Sequence, residues 1–229
     1  MRPLQAITEG LQFPEGPIAM PDGSIILVEI ARGTLTRVHK TGKKEVIADL
    51  GGGPNGAAIG PDGACYVCNN GGFNWEKDAS SGYLRPIGQS DDYLTGRIER
   101  VDLETGKVER LYDTCGENRL NGPNDLVFDK SGNMWFTDLG KARDRDMDRG
   151  VVYWARADGS EIREVIQPIT TPNGIGLSPD EKTLYVAETE GARLYGFQIT
   201  GEGTLEKLTF PHSVNGGRLV TCDGGFRRF

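Results

Sequence analysis

Histidine and cysteine are scarce in this chain of 229 residues, which has two of the first and four of the second. With only His39 and His212 available, and no G-x-S-x-G, a serine triad has little material. Cys65 and Cys68 form a C-x-x-C, but they lie in the strand-like stretch Ala64 to Asn69, where residues three apart point to opposite faces. A zinc knuckle also needs a second pair, and Cys115 and Cys222 stand alone. The cysteines are therefore expected to be reduced and to pack as small apolar residues. Long apolar runs are missing: the stretch around Ser24 to Val28 is strand-length and far short of a membrane span. Met1 to Gly10 lacks the basic start and continuous apolar core of a signal peptide, so the expected location is the cytoplasm. Basic residues number 26 against 33 acidic ones, and the formal charge of −7 argues against nucleic acid or an anionic membrane as partner. Sustained helical periodicity is absent as well.

What is present is glycine, 33 residues of it, with 12 prolines, and a nine-residue phrase that recurs four times. The copies run Glu15 to Gly23, Asn55 to Gly63, Asn124 to Gly132 and Asn173 to Glu181, each opening on a side-chain oxygen. Recurrence on this scale marks an array of supersecondary units. Each copy continues through a turn such as Pro-Asp-Gly into a second strand-like stretch: Ser24 to Ile30, Ala64 to Cys68, Asn133 to Thr137 and Lys182 to Ala187. Third and fourth strands follow in every unit, as Thr34 to His39 with Lys44 to Ala48, and Gly96 to Val101 with Lys107 to Leu111. In the later units they are Gly150 to Arg156 with Ile162 to Ile166, and Ala192 to Ile199 with Thr204 to Leu208. Four strands per unit is the composition of a propeller blade, so the expected fold is an all-β propeller in a single domain spanning residues 1–229. The stretch from Asn70 to Thr95 interrupts the second unit and reads as an ordered loop over one face, placed to cover a site.

In a propeller the first strand of each blade lines the central channel, so Glu15, Asn55, Asn124 and Asn173 are expected to converge on the axis. One carboxylate among several amide oxygens, with no imidazole or thiolate, suits a hard divalent cation: Ca²⁺ first, with Mg²⁺ or Mn²⁺ as substitutes. A single Asn-Gly could equally serve the turn entering a strand. Four in phase favour a site.

Phe13-Pro-Glu15-Gly-Pro, Gly122-Pro-Asn124-Asp-Leu, and Pro172-Asn173-Gly-Ile-Gly-Leu-Ser-Pro-Asp with Thr183-Leu-Tyr-Val-Ala-Glu188-Thr resemble the blocks of the gluconolactonase and regucalcin (senescence marker protein) family. The resemblance spans essentially the whole chain. It implies a six-bladed propeller that hydrolyses sugar lactones with one divalent metal on its axis, Zn²⁺ being a further alternative there. Carried over block by block, Glu15 and Asn173 match metal ligands, and Asn124 matches an asparagine at the metal or against the substrate. Asn55 rests on the repeat alone and is assigned to the substrate side. The resemblance also implies an aspartate, ligand and proton acceptor, after an Arg-Phe pair or in a Pro-Asp-Gly block of the next blade. Here Gly224 to Phe229 reaches that pair, so the catalytic aspartate is expected beyond Phe229, and Asp223 fits the lead-in to that block better than the block itself. Some relatives carry a sugar-holding arginine where this chain has Gly122.

On this reading the chain holds about four blades, is incomplete at its C-terminal end, and has two open sheet edges through which it is expected to self-associate. Two rival functions remain: a noncatalytic calcium-binding scaffold, since fold alone does not give chemistry, and a phosphotriesterase-like hydrolase. Other signals are set aside. Gly51 to Gly56 satisfies G-x-G-x-x-G but enters a strand where a dinucleotide site would open a helix. Asp144, Asp146 and Asp148 resemble the start of an EF-hand loop, but Arg149 takes the glycine place.

Overall fold

A computed structural model describes residues 4–207 and 212–213. Among them there is no helix, and so none long and apolar enough to cross a membrane. The strands assemble in chain order into four antiparallel sheets. The first holds β1 (Pro14–Ala19), β2 (Ile25–Glu29), β3 (Thr34–Val38) and β4 (Lys44–Asp49). The second starts with β5 (Pro54–Ile59) and β6 (Cys65–Asn69). It leaves for a separate hairpin, β7 (Phe73–Lys77) and β8 (Leu84–Gln89), then resumes with β9 (Arg97–Val101) and β10 (Val108–Tyr112). A two-residue hairpin, β11 (Thr114–Cys115) with β12 (Asn118–Arg119), follows. The third sheet comprises β13 (Pro123–Phe128), β14 (Asn133–Asp138), β15 (Gly150–Arg156) and β16 (Ile162–Ile169). The fourth comprises β17 (Pro172–Leu177), β18 (Thr183–Glu188), β19 (Arg193–Gly201) and β20 (Thr204–Lys207), with β21 (His212–Ser213) also pairing β19.

Alternation along the second strands decides how the sheets stack. Cys65 and Val67 face the first sheet and pack with Ile26, Val28, Leu35 and Val101. Tyr66 and Cys68, on the other face, pack with Ile98, Met134, Phe136 and Tyr153 of the second and third sheets. Trp135 turns the opposite way from Phe136 and joins Trp154, Leu184, Val186 and Phe197 between the third and fourth sheets. Successive sheets are thus face to face, and their first strands β1, β5, β13 and β17 touch in order. That is the stacking of propeller blades.

The sequence reading of Asn70 to Thr95 as a loop is corrected to a loop with a β-hairpin, Phe73 pairing Gln89 and Lys77 pairing Leu84. Glycines around a five-residue strand hide its alternation. The expectation that Cys65 and Cys68 face opposite ways holds, and neither they nor Cys115 form a disulfide among the described residues. Asp146 and Asp148 are held by Arg143, as a solvated loop of mixed charge requires. His39 is paired with Glu45 in the outer half of the first sheet, 2.8 Å apart. His212, at β21, is described only by its backbone pairing, whereas Cys222, Asp223 and Gly224 to Phe229 lie outside the described residues.

Candidate metal centre and substrate face

Each inner strand begins with proline, which has no N–H to give to the ladder and is tolerated at the first strand residue. Pro14 pairs Glu29, Pro54 pairs Asn69, Pro123 pairs Asp138 and Pro172 pairs Glu188. Immediately afterwards the register breaks in all four strands, between Glu15 and Ile18, Pro54 and Ala57, Pro123 and Leu126, and Pro172 and Ile175. A bulge bends its strand and re-aims a side chain. Glu15, Asn55, Asn124 and Asn173 all sit at this bulge, and all four are half-buried.

The residue behind each is buried: Gly16, Gly56, Asp125 and Gly174. Close approach of the strands explains the first two. A Cβ on Gly16 would fall 2.8 Å from the Ala57 nitrogen and 2.9 Å from the Asn55 carbonyl oxygen, and one on Gly56 would fall 2.5 Å from the Asn124 carbonyl oxygen. Thr137 Oγ1 hydrogen-bonds the Asn173 carbonyl, and Ile175 N–H donates to Asp125 Oδ2 at 3.1 Å. The strands bearing Glu15, Asn55, Asn124 and Asn173 are therefore neighbours in that order.

A second polar ring, missed by sequence reasoning, holds the loops that enter these strands. Glu29, Asn69, Asp138 and Glu188 are buried at the ends of the second strands. Gln12 N–H donates to Glu29 at 2.7 Å, and Gly53 N–H to Asn69 at 2.9 Å. Asn121 and Gly122 N–H donate to Asp138 at 2.7 and 2.6 Å, and Thr170 N–H to Glu188 at 3.0 Å. Arg32 and Arg193 neutralise Glu29 and Glu188, while Asn69 Nδ2 donates to Glu99 Oε2, itself paired with Arg97. Burial pushes the Asp138 carboxyl above its ordinary range, against the pull of its three N–H donors and the Lys141 charge. The signal was present in the sequence as an acid or amide closing each second apolar stretch.

These caps engage none of the four bulge side chains. Burial raises the Glu15 pKa, opposed by the Gly16 N–H, and among the described residues no cation pairs with its carboxylate. Among the described residues no side chain engages the carboxamides of Asn55, Asn124 or Asn173 either, whereas Asp125 is bonded to Leu126 and Ile175 N–H. No three His, Cys, Asp or Glu side chains converge among the described residues, so a cation here would rest on amide oxygens around one carboxylate. That donor set fits a hard divalent ion.

Residues 13–226 match the model of the SMP-30/Gluconolactonase/LRE-like region. The chain belongs to that family. Its relatives include the Lactonase drp35 of Staphylococcus saprophyticus, 30% identical over 87% of this chain and 55% of that protein. The Gluconolactonase of Zymomonas mobilis is 27% identical over 83% of this chain and 52% of its own length. The chain thus spans just over half the length of these relatives. A solved gluconolactonase from Xanthomonas campestris superposes with a TM-score of 0.69 at 24% identity, covering 91% of this chain and 65% of that one. At that identity the likeness speaks for the fold, and it agrees with the stacked sheets described above.

Proposed function

We propose that the protein hydrolyses lactones, sugar lactones such as gluconolactone among them, with one divalent cation held by Glu15, Asn124 and Asn173. Ca²⁺ is the preferred ion, with Mg²⁺, Mn²⁺ or Zn²⁺ as alternatives. The observation that carries this reading is the set of four uncommitted, half-buried oxygens at one bulge of consecutive inner strands, in a chain of this family. The chemistry such a cation supplies when bound is polarisation of a carbonyl and a lower pKa for a water. Glu15 contributes the negative charge, and burial makes its ionised form costly unless a positive charge comes near. Asn124 and Asn173 contribute neutral oxygens, and Asn124 and Asn55 turn carboxamides toward the substrate, able to donate to its oxygens. Asp125, whose oxygens take the Leu126 and Ile175 N–H groups, ties the third sheet to the fourth. On this reading the four sheets are blades of a six-bladed ring, and no residue among those described is assigned as the proton acceptor.

The test is acid release from gluconolactone with and without a chelator, alongside melting with added Ca²⁺. Turnover lost to chelation and restored by Ca²⁺ is the expected result, with stabilisation of about 2.7 kcal/mol at a hundredfold excess over Kd. Absence of turnover with all four ions sinks the enzyme reading, and Ca²⁺ stabilisation without turnover would move the protein to the scaffold class.

A further inference from the structure

The hairpin β7–β8 is dispensable to its sheet, because β6 pairs directly with β9 and the inserted strands pair with each other. Its placement is nevertheless specific. A Cβ on Gly53, two residues before Asn55, would fall 2.4 Å from Asn70 Oδ1 and 2.9 Å from the Gly72 Cα, so the hairpin's leading loop lies on the loop that opens β5. Phe73 and Trp75 share one face of β7, their rings edge-on at 5.9 Å. Trp75 meets the ring of Phe13 at 5.0 Å. Phe13 stands two residues before Glu15 and holds left-handed backbone at φ 56°, which bulky residues rarely adopt.

At the base of the hairpin, Lys141 Nζ lies 4.8 Å from the ring centroids of both Phe73 and Tyr93 and donates to the Gly72 carbonyl at 3.2 Å. Tyr93 Oη donates to the Asn121 carbonyl at 2.8 Å, three residues before Asn124. The rings therefore run in one arc from the loop of Glu15, past that of Asn55, to that of Asn124. Phe13, Phe73 and Trp75 are only half-buried, whereas Trp135, Trp154, Phe136 and Tyr153 are sealed in the core. An open aromatic surface beside uncommitted oxygens, with backbone strain retained at Phe13, has the composition of a binding site.

We propose that Phe13, Phe73 and Trp75 form the apolar wall of the substrate pocket, against which the C–H face of a lactone ring packs while its ester group lies toward Glu15 and Asn124. Lys141 is a positioning residue that fixes the hairpin through Phe73, Tyr93 and Gly72. The inference rests on the lactonase reading above and names the side chains that select for ring shape.

Trp75 offers a direct readout, since the other two tryptophans, Trp135 and Trp154, are 1% and 0% exposed. Gluconolactam, an analogue with N–H in place of the ring oxygen, is titrated calorimetrically in the presence of Ca²⁺, and acrylamide quenching of fluorescence is followed at saturation. At least a twofold fall in the quenching constant is expected. Trp75→Ala should raise KM for gluconolactone about tenfold, from lost apolar contact, with kcat within about twofold and the melting temperature unchanged. Phe73→Leu, which keeps an apolar side chain but removes the ring, should raise KM in the same direction. Lys141→Met should speed amide exchange across residues 73–89 and raise KM while leaving the core melt in place. Gluconolactam binding with unaltered quenching, or a Trp75→Ala enzyme with wild-type KM, overturns the wall and leaves the lactonase reading standing. A wild-type protein that neither binds the lactam nor turns over any lactone overturns both.

Discussion

Among the four aligned bulge residues Glu15 alone carries charge, and burial raises its pKa. Gln at this place keeps the oxygen but removes the charge, so Glu15→Gln should leave the metal-free protein no less stable while weakening Ca²⁺ binding at least tenfold. Asn173→Asp adds a charge toward the same ion and should strengthen binding. Titration calorimetry with Ca²⁺ and Mn²⁺ on both variants measures this, and wild-type affinity in both would remove Glu15 from the site. Asn124 and Asp125 show how little residue type settles. They are adjacent and polar, yet only Asp125 is buried and bonded to the next sheet, leaving Asn124 uncommitted.

The hairpin β7–β8 is anchored by one buried lysine. Desolvation lowers the Lys141 pKa to about 8, with Asp138 and Asp148 pulling it back upward. Because the ordinary value is 10.5, the folded protein loses this proton before the unfolded chain does as pH rises from about 8 to 10.5. The unfolded state then binds more protons, so stability rises with pH across that window. The burden of the buried charge is fully present below it. Melting of wild type beside Lys141→Met from pH 7 to 10.5 should show the wild type gaining relative to the variant above pH 8. Parallel curves would mean that Lys141 stays charged and better solvated than its surroundings imply.

Across the whole molecule, the proposed site depends on four sheets that bring their first strands within backbone contact. Gly56 is the tightest such point: an added Cβ would meet the Asn124 carbonyl oxygen at 2.5 Å and the Asp125 Cα at 2.6 Å. Neither is the far end of a flexible side chain, so Gly56→Ala should destabilise by about 2–3 kcal/mol and weaken Ca²⁺ binding with it. Gly63, in a turn with φ 80° and open space around its would-be Cβ, is the control. Its alanine variant should cost only about 1–2 kcal/mol, from backbone conformation alone, and leave Ca²⁺ affinity unchanged. Urea unfolding of both variants separates the two costs. A Gly56→Ala protein as stable as Gly63→Ala would mean that the inner strands part easily.

The strand, turn, strand rhythm was legible because alternation and turn chemistry act over a few residues. Gly150–Arg156 emerged with the bounds the pattern predicts, and the four bulge residues were picked out by recurrence alone. The hairpin was not legible, because Gly71 and Gly72 precede, and Gly88 interrupts, two short strands whose pairing depends on each other. Nor were the roles of Glu29, Asn69, Asp138 and Glu188, whose partners lie in loops preceding a different strand. The sequence by itself determined the repeating unit and which polar side chains it offers. Tertiary structure decided which of them are spent and which stay open: Asp125 is taken by an N–H 50 positions away. Such a partner is set by the stacking of sheets, and no local rule carries information over that distance.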